Sequence, residues 1–529
     1  MLSQKRSAAV VAALLVLSGC LASAPDSPDS PAPQAEAQAR EAGHFADPSV
    51  FTVGFDRIQE VYLVKEDFGK LALDGLNGLS KLDDTLSVRR DGGKVQLIRA
   101  GHTVGEFDSP GPDASYDWGM LVASTLDSAS LVSPKVATAG SEAAYQAVYD
   151  ALLADLDPFS RYANPDRARD DRAQRDGYTG VGIALSQDDK GRPVIGDVFP
   201  DTPAARANLL KGSLIVAVDG VSVEDAKVDE IADLMRGPVD TKVDLTVREP
   251  KGSLRTATMT REKVIENMAR SEVRDNVIIV KLLRYNKTSA GAVRNAVTGL
   301  LRGLNGKARG IILDLRGNPG GLLDQSVALA DLFMDHGQIV STRGRDPDSE
   351  QNYAANDGDI ARHLPLAVLI DGHSASAAEV TAAALQDSDR AILVGSTSFG
   401  KGSVQTVTRL PNDGELFLTW SRIYAPSGYT WHRQGILPTV CTSGSGTDAK
   451  AMIEAFRAGQ LPSLGEAMAE RFQAPDDETA LRRVRSACPW QVHDAGLDVD
   501  VAIGLVSDPT LYAQALGSQD RGTVAIHAQ

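Results

Sequence analysis

The chain is poor in cysteine and histidine, two side chains that often hold transition metals. Its 529 residues include 3 cysteines and 8 histidines, and they contain neither an H-E-x-x-H nor a C-x-x-C motif. Those motifs place two metal ligands on one helix face or in one turn. We therefore expect no metal site and no other cofactor.

Basic charge and long apolar runs are also scarce. Asp and Glu number 70 against 54 Lys and Arg, which gives a formal charge of −16. Proteins that bind nucleic acid neutralise its phosphates with Lys and Arg, so no nucleic-acid partner is expected. An apolar run near the start, Ala8 to Leu17, is too short to span a bilayer.

The start of the chain has the features of a lipoprotein leader. Lys5 and Arg6 precede the apolar run, and the L-S-G-C that ends at Cys20 resembles a lipoprotein signal-peptidase box. We expect residues 1–20 to be the signal, with Cys20 lipidated. The alternative is an ordinary signal peptide that is cut near Ala22 to Ala24. Residues 21–48, rich in Pro, Ala, Ser and Asp, are predicted to be a disordered tether.

A lipid anchor would place the protein in a bacterial cell envelope, facing the periplasm. Leu21 stands where lipoproteins of the inner membrane commonly carry aspartate, which favours the outer membrane. Such a compartment permits disulfides. We predict that Cys441 and Cys488 pair, with two buried free thiols as the alternative.

The rest of the chain divides into four regions, and its fold class is predicted to be α/β, an α+β multidomain chain. Apolar residues three and four apart predict a helical region over residues 49–170. Residues 177–262 resemble a PDZ domain. Residues 270–441 alternate apolar strands with helical patterns, which is typical of an α/β core. Residues 442–529 are predicted to be helical and to contact the N-terminal helices or a partner.

The PDZ interpretation depends on the segment Y-T-G-V-G-I-A-L, Tyr178 to Leu185. In such a domain a peptide end adds as a strand, and its carboxylate is held by backbone N–H groups of the loop that begins at Gly180, here those of Val181, Gly182 and Ile183. The same glycines could open a dinucleotide site, but no third glycine and no Rossmann pattern follow. We therefore expect the carboxyl end of a protein or peptide as the ligand.

Two segments of the α/β region together resemble a serine–lysine hydrolytic site. D-G-H-S-A-S-A-A-E follows an apolar strand and precedes a helical pattern, so Ser376 is predicted to lie at a strand–helix junction. A helix from Ala377 to Asp387 leads about 15 Å away, and a returning strand of similar length brings the loop S-F-G-K-G-S-V-Q back to the same sheet edge. Lys401 in that loop could accept the Ser376 proton if burial lowers its pKa from about 10.4.

Backbone N–H groups near Ser376 are candidates for an oxyanion hole. The first amides of a helix have no internal partner, which favours Ala377. The turn G-N-P-G-G follows another buried strand at the same edge, and either Gly320 or Gly321 could supply the second amide. Gln405, four residues beyond Lys401, is placed to orient the neutral amine by a hydrogen bond.

In combination these motifs resemble those of the carboxyl-terminal processing, or tail-specific, serine peptidases. The family's motifs occur in order: L-D-P-x-S-x-Y from Leu156, D-L-R-x-N-x-G-G from Asp314, the serine before A-A-E, and F-G-K-G followed by Gln405. Two departures are that Ala378 replaces the commoner serine and that His373 stands where small or aromatic residues are usual.

The resemblance implies a fold and a function. We expect a crotonase-like peptidase core with an inserted PDZ domain, in which Ser376 is the nucleophile and Lys401 the base. Substrates would be proteins or peptides chosen by apolar carboxyl ends. Several members depend on helical-repeat adaptor proteins, so an adaptor and an oligomer are further candidate partnerships.

Three other interpretations compete with this one. Gly372 to Ser376 approximates a nucleophile elbow with Ser374 as nucleophile beside His373, although glycine is missing at its fifth position. The run from Ser398 to Lys401 spells the S-x-x-K of penicillin-recognising enzymes, but its glycines disfavour the helix that this motif needs. The chain could also be an inactive scaffold whose PDZ domain binds protein carboxyl ends.

Overall fold

The computed structural model describes residues 44–356, 358–444, 448–460, 464–491 and 496–518. Cys20 and most of the predicted tether lie outside the described residues. Within the described ranges, no helix is both long enough and apolar enough to cross a bilayer.

The N-terminal region combines helices with a small sheet, so it is less purely helical than its sequence suggests. Its elements are α1 (Pro48–Val61), α2 (Phe68–Asn77), β1 (Leu86–Asp91), β2 (Lys94–Arg99), β3 (His102–Asp108), α3 (Ser115–Val132), α4 (Pro134–Ala139), α5 (Ser141–Ala154), β4 (Arg161–Ala163) and α6 (Pro165–Asp176). Strands β1, β2 and β3 form an antiparallel sheet. Val88, Val95 and Leu97 are buried on one face of it, but this alternation is too short to stand out in the sequence.

The PDZ region is a small antiparallel sheet with two helices. Its elements are β5 (Tyr178–Gly180), β6 (Ile183–Gln187), β7 (Pro193–Val198), α7 (Pro203–Arg206), β8 (Leu214–Val218), β9 (Val221–Ser222), α8 (Val228–Met235), β10 (Lys242–Arg248), β11 (Leu254–Thr260) and β12 (Glu262–Val264). The main sheet has the order β11-β10-β8-β7-β6. A separate pairing of β5 with β12 joins the two ends of the region, so it is inserted as one unit.

The core is a sheet covered by helices on both faces. Its elements are β13 (Ala269–Arg274), β14 (Val277–Leu282), α9 (Ser289–Leu304), β15 (Gly310–Asp314), α10 (Leu323–Asp331), β16 (Gln338–Gly344), β17 (Gln351–Ala354), β18 (Leu366–Ile370), α11 (Ala377–Asp387), β19 (Ile392–Gly395), β20 (Ser403–Arg409), β21 (Glu415–Tyr424) and β22 (Val440–Cys441). The main sheet has the order β13-β14-β15-β18-β19-β22 and is parallel from β14 onward. Four of these strands, β14, β15, β18 and β19, are predicted to within one residue by the apolar runs 277–283, 311–315, 366–370 and 391–394.

A second sheet brings the N-terminal region to the core. It has the order β17-β16-β21-β20, and β4 pairs with β21. Through this pairing the L-D-P-x-S-x-Y segment lies beside β21, whose other edge pairs with β20, the strand that follows Lys401. The site is therefore built from segments more than two hundred residues apart in the chain.

The C-terminal helices complete the core. They are α12 (Ala449–Arg457), α13 (Gly465–Glu470), α14 (Glu478–Ala487), α15 (Leu497–Val506) and α16 (Pro509–Gly517). Side chains of α12, α15 and α16 pack on the face of the main sheet opposite α9, α10 and α11. They pack there because the parallel strands carry apolar side chains on both faces and need cover on each, whereas the sequence predicts contact with the N-terminal helices or a partner.

Candidate active site

Ser376 lies in a strained turn between β18 and α11. Its backbone has φ 55° and ψ −115°, a conformation that serine rarely adopts and that is common at functional turns. The N–H of the preceding Ala375 donates to the carbonyl of Asn318 at 3.0 Å, which fixes the turn against the glycine-rich loop. Ser376 is half-buried and lines a cavity of about 300 Å³.

Glu379 joins this turn to the lysine loop. Its side chain is fully buried at 0 % exposure and accepts four hydrogen bonds. One oxygen accepts from the N–H of Ser376 at 2.7 Å and of Lys401 at 2.9 Å, and the other from the Ser398 hydroxyl at 2.5 Å and the Gly400 N–H at 2.7 Å. Burial raises the pKa of Glu379 to about 7, although these four donors favour the carboxylate.

Lys401 lines the same cavity and is set among groups that disfavour its charge. Burial lowers the pKa of its amine, and the nearby guanidinium of Arg161 acts in the same direction, while Asp157 and Glu379 oppose the shift. The amine lies 5.1 Å from the centre of the Phe159 ring. In the described chain, no hydrogen bond joins the Lys401 amine to the Ser376 hydroxyl. The two groups are therefore gathered at one cavity without a direct bond.

Gln405 also lines this cavity, but its amide is turned elsewhere. It donates to the hydroxyls of Ser403 at 3.0 Å and Thr419 at 3.4 Å. The hydrogen bond to Lys401 expected from the sequence is not among those formed by the described residues, because β20 presents Gln405 to hydroxyls of its own and the neighbouring strand.

The three candidate oxyanion donors differ in availability. Gly320 lies against Ser376, since a side chain at position 320 would come within 2.8 Å of Ser376 Cβ. Its N–H, however, donates to the side-chain oxygen of Asn318 at 2.9 Å. Within the described ranges the N–H groups of Gly321 and Ala377 have no hydrogen-bond partner. Geometry therefore favours Gly321 over Gly320 as the donor that acts with Ala377.

The hydroxyls of Ser374 and Ser398, the serines of two competing interpretations, are engaged in hydrogen bonds within the protein. Ser374 is fully buried, and its hydroxyl donates to the carbonyl of Leu315 at 2.9 Å. The Ser398 hydroxyl donates to Glu379 and accepts from the N–H of Ile436 at 2.7 Å. His373 is exposed and packs edge-on against Trp490, with ring centres 5.5 Å apart. Neither serine lines the cavity that contains Lys401.

The PDZ region has a groove of about 270 Å³ at the predicted loop. Gly180, Val181, Gly182 and Ile183 line one end of it. Val181 and Gly182 donate no backbone hydrogen bond in the described chain, so both N–H groups are available. The other wall is formed by α8, through apolar side chains that include Met235.

Cys441 and Cys488 form a disulfide with their Cα atoms 5.8 Å apart. Cys441 ends β22, next to Gly395 of β19. The segment that begins at Cys488 then crosses the active-site turn, where the indole N–H of Trp490 donates to the carbonyl of Gly372 at 2.7 Å. The disulfide thus fixes a cover over the segment that leads to Ser376.

Sequence reasoning gave no role to Glu379, Phe159 and Arg161. Glu379 stands three residues after Ser376, the spacing of a capping box, and that signal would have indicated a bond to the Ser376 N–H. The contacts of Phe159 and Arg161 with the cavity depend on the pairing of β4 with β21, for which the sequence carries no local signal.

Comparisons with known proteins identify the family and its domains. Residues 276–442 match Peptidase family S41, and residues 194–249 match the PDZ domain. The carboxy-terminal-processing protease of Bartonella bacilliformis is 36 % identical over 292 residues, which cover 55 % of this chain and 67 % of that protein. The carboxyl-terminal-processing protease of Picosynechococcus sp. is 33 % identical over 304 residues, 56 % of this chain and 72 % of that protein.

Among solved structures, the photosystem II D1 C-terminal processing protease is 26 % identical, with a TM-score of 0.36 over 71 % of this chain and 93 % of that chain. The extent of the sequence matches, which include both the peptidase core and the PDZ domain, decides the assignment. The chain belongs to the carboxyl-terminal processing peptidases of family S41, serine-type peptidases that act on proteins or peptides and here carry a PDZ domain.

Proposed function

We propose that the protein cleaves polypeptides with Ser376 as nucleophile and Lys401 as general base, on substrates captured by apolar carboxyl ends. The observation that carries this proposal is the shared cavity. It is lined by Ser376, Lys401, Ala377 and Gly321, and the N–H groups of the last two are unpaired among the described residues. Glu379 supports it by bonding the backbone of both reactive residues.

The chemistry follows from these positions. Neutral Lys401 removes the proton of Ser376 as its oxygen attacks the peptide carbonyl. The negative charge that develops on the carbonyl oxygen is stabilised by the N–H groups of Ala377 and Gly321. Lys401 then gives its proton to the leaving amine. Water, deprotonated by the same lysine, attacks the acyl-enzyme and releases Ser376.

Capture of the carboxyl end is assigned to the PDZ groove. The free N–H groups of Val181 and Gly182 suit a carboxylate, because adjacent backbone donors form an anion-binding concavity. Apolar side chains along the groove, such as Ile183 and Met235, suit apolar residues before that carboxylate. This groove is separate from the catalytic cavity, so binding and cleavage can be tested independently.

The direct test uses one peptide with an apolar carboxyl end, in free and amidated forms. We expect wild-type protein to shorten the free form faster, through a lower KM, because amidation removes the carboxylate that the loop binds. Binding of the peptide without any cleavage would instead support the inactive scaffold.

We further propose that the protein is anchored by lipid at Cys20 and faces the periplasm, with the outer membrane as its location. The sequence of the leader supports this proposal. Cys20→Ala should move the protein from the membrane fraction to the soluble periplasmic fraction. An unchanged membrane fraction for this variant would refute lipidation as the anchor.

A further inference from the structure

The catalytic cavity is rich in positive charge although the chain as a whole carries −16. Four cationic side chains line it, Arg161, Arg175, Arg284 and Lys401, together with Asp171 as the acidic residue. An excess of one sign in a partly enclosed cavity attracts ligands of the opposite sign. The question is which of these cations is free to bind one.

Two of the arginines are already paired with carboxylates. Arg161 lies 2.7 Å from Asp171, and Arg175 lies 3.0 Å from Glu415, which is 3 % exposed. Their charge is largely compensated by these partners. Lys401 is neutral when it acts as the proposed base, so it supplies no lasting charge either.

Arg284 differs from the other three. It is half-buried, and within the described ranges its guanidinium forms no ion pair or hydrogen bond. A guanidinium presents five N–H donors in a planar fork that matches a carboxylate. Leaving these donors unpaired at the wall of a cavity is favourable only if water or a ligand accepts from them.

The backbone fixes Arg284 beside the reacting atoms. The next residue, Tyr285, donates its N–H to the carbonyl of Gly320 at 2.9 Å and accepts from the N–H of Leu322 at 3.1 Å. Arg284 directly precedes Tyr285, and Tyr285 is hydrogen-bonded to the residues on either side of Gly321, the proposed oxyanion donor. These bonds therefore fix the backbone of Arg284 close to Gly321. A group bound by Arg284 would lie close to the scissile bond.

We propose that Arg284 determines specificity by binding a carboxylate of the substrate polypeptide near the scissile bond. This inference rests on the proposed role of Ser376, because that role makes the cavity the substrate site. The carboxylate can belong to an acidic side chain or to the carboxyl terminus of the substrate itself. Both sources present the same planar pair of oxygens to the guanidinium.

The test uses peptides with one apolar carboxyl end and a single Glu or Gln, placed in turn at each of several positions on both sides of the cleaved bond. Wild-type protein should cleave the Glu peptide about tenfold faster in kcat/KM than the Gln peptide at the position that reaches Arg284. Arg284→Gln should remove this preference through KM, so that the Glu and Gln peptides are cleaved with equal kcat/KM. Arg284→Lys should retain part of it.

A second arm identifies a terminal carboxylate as the source. Peptides cut close to their end are compared in free and amidated forms. Amidation weakens binding to the PDZ domain equally for wild type and Arg284→Gln. A larger effect of amidation on wild type would therefore assign the Arg284 contact to the terminal carboxylate. The matched control is Arg302→Gln, on the exposed side of α9, which should behave as wild type.

Equal preference in wild type and Arg284→Gln, in both arms, would overturn the inference. An equal loss of preference in Arg302→Gln would also overturn it, because the effect would then come from overall charge. Cleavage that survives Ser376→Ala would refute the proposed nucleophile but would leave the ratio measured for Arg284 interpretable. The two failures are thus distinguishable.

Discussion

The Glu379 side chain holds the Ser376 turn and the Lys401 loop in one arrangement. All four donors around it point at its two oxygens, and the residue is fully buried. Glu379→Gln replaces one of these oxygens by an NH₂ group and turns two hydrogen bonds into contacts between donors. We expect the free energy of unfolding to fall by roughly 1–3 kcal/mol and kcat to fall about 100-fold.

Thermal unfolding and steady-state kinetics measure both effects. Glu454→Gln, on the exposed side of α12, is the matched control and should leave both quantities unchanged. A variant Glu379→Gln with normal kcat would show that this bridge does not position the site.

The pH dependence of activity depends on Lys401. Because burial and Arg161 lower the pKa of its amine, the neutral form persists below the usual range of lysine. Activity should fall as the pH decreases through this lowered pKa, since a protonated amine cannot accept a proton. Arg161→Gln removes a neighbouring cation, raises the pKa of Lys401 and should shift the acidic limb of kcat/KM to higher pH.

Arg161→Lys keeps the positive charge and should leave the acidic limb of the kcat/KM profile at the same pH as in wild type. The profile of kcat/KM against pH measures this, because it reports groups of the free enzyme. Identical limbs for wild type and Arg161→Gln would exclude Arg161 as a determinant of the Lys401 pKa.

At the scale of elements, the segment from Cys488 to Gln491 covers the turn that carries Ser376. The carbonyl of Gln491 accepts from the N–H of Gly372 at 3.1 Å and from the Ser396 hydroxyl at 3.2 Å. The segment thus bonds both the nucleophile turn and the strand end before the lysine loop. The disulfide to Cys441 keeps it there.

Reduction of this disulfide should therefore weaken both stability and activity. It closes a loop with a sequence separation of 47, so its loss should cost roughly 3–4 kcal/mol in the free energy of unfolding. Unfolding and peptide cleavage are measured with and without reductant, and thiol titration confirms reduction. The double variant Cys441→Ser, Cys488→Ser should no longer respond to reductant. Full activity with both thiols free would contradict the prediction.

The elements around Ser376 could be predicted from the sequence because their signals are local. The apolar run from Leu366 and the helix formers from Ala377 predict β18 and α11 with the bounds that the structure has. The choice between Gly320 and Gly321 could not be predicted, because it depends on a hydrogen bond from the Gly320 N–H to the side-chain oxygen of Asn318, within a turn of irregular geometry. The orientation of the Gln405 amide likewise depends on hydrogen bonds to Ser403 and to Thr419, the latter a residue of another strand.

At the scale of the whole molecule, α6 connects the two binding sites. Its residues Asp171 and Arg175 line the catalytic cavity, and it leads directly into β5 at the start of the PDZ region. Arg175 is held by Glu415 of β21, so the end of α6 is fixed to the core. If the PDZ groove captures the substrate as proposed, this link keeps the substrate near the cavity and raises its effective concentration there.

A substitution in the PDZ groove should therefore change KM more than kcat. Met235→Glu places a charge among the apolar side chains of the groove and should raise KM for a peptide with a free apolar end about tenfold, with kcat unchanged. The amidated peptide should show no such change. Equal effects on both peptides would indicate that the groove does not act through the carboxyl end.

Ser376 and Lys401 are proposed to perform the cleavage together. The most direct measurement is kcat/KM on one tailed peptide for Ser376→Ala, Lys401→Ala, Ser374→Ala and Ser398→Ala, each checked for folding by its thermal unfolding. We predict a loss of at least about 1,000-fold for the first two and retained cleavage for every folded form of the other two. Full activity of Ser376→Ala or Lys401→Ala would contradict the account, and so would an equal loss in a fully folded Ser374→Ala.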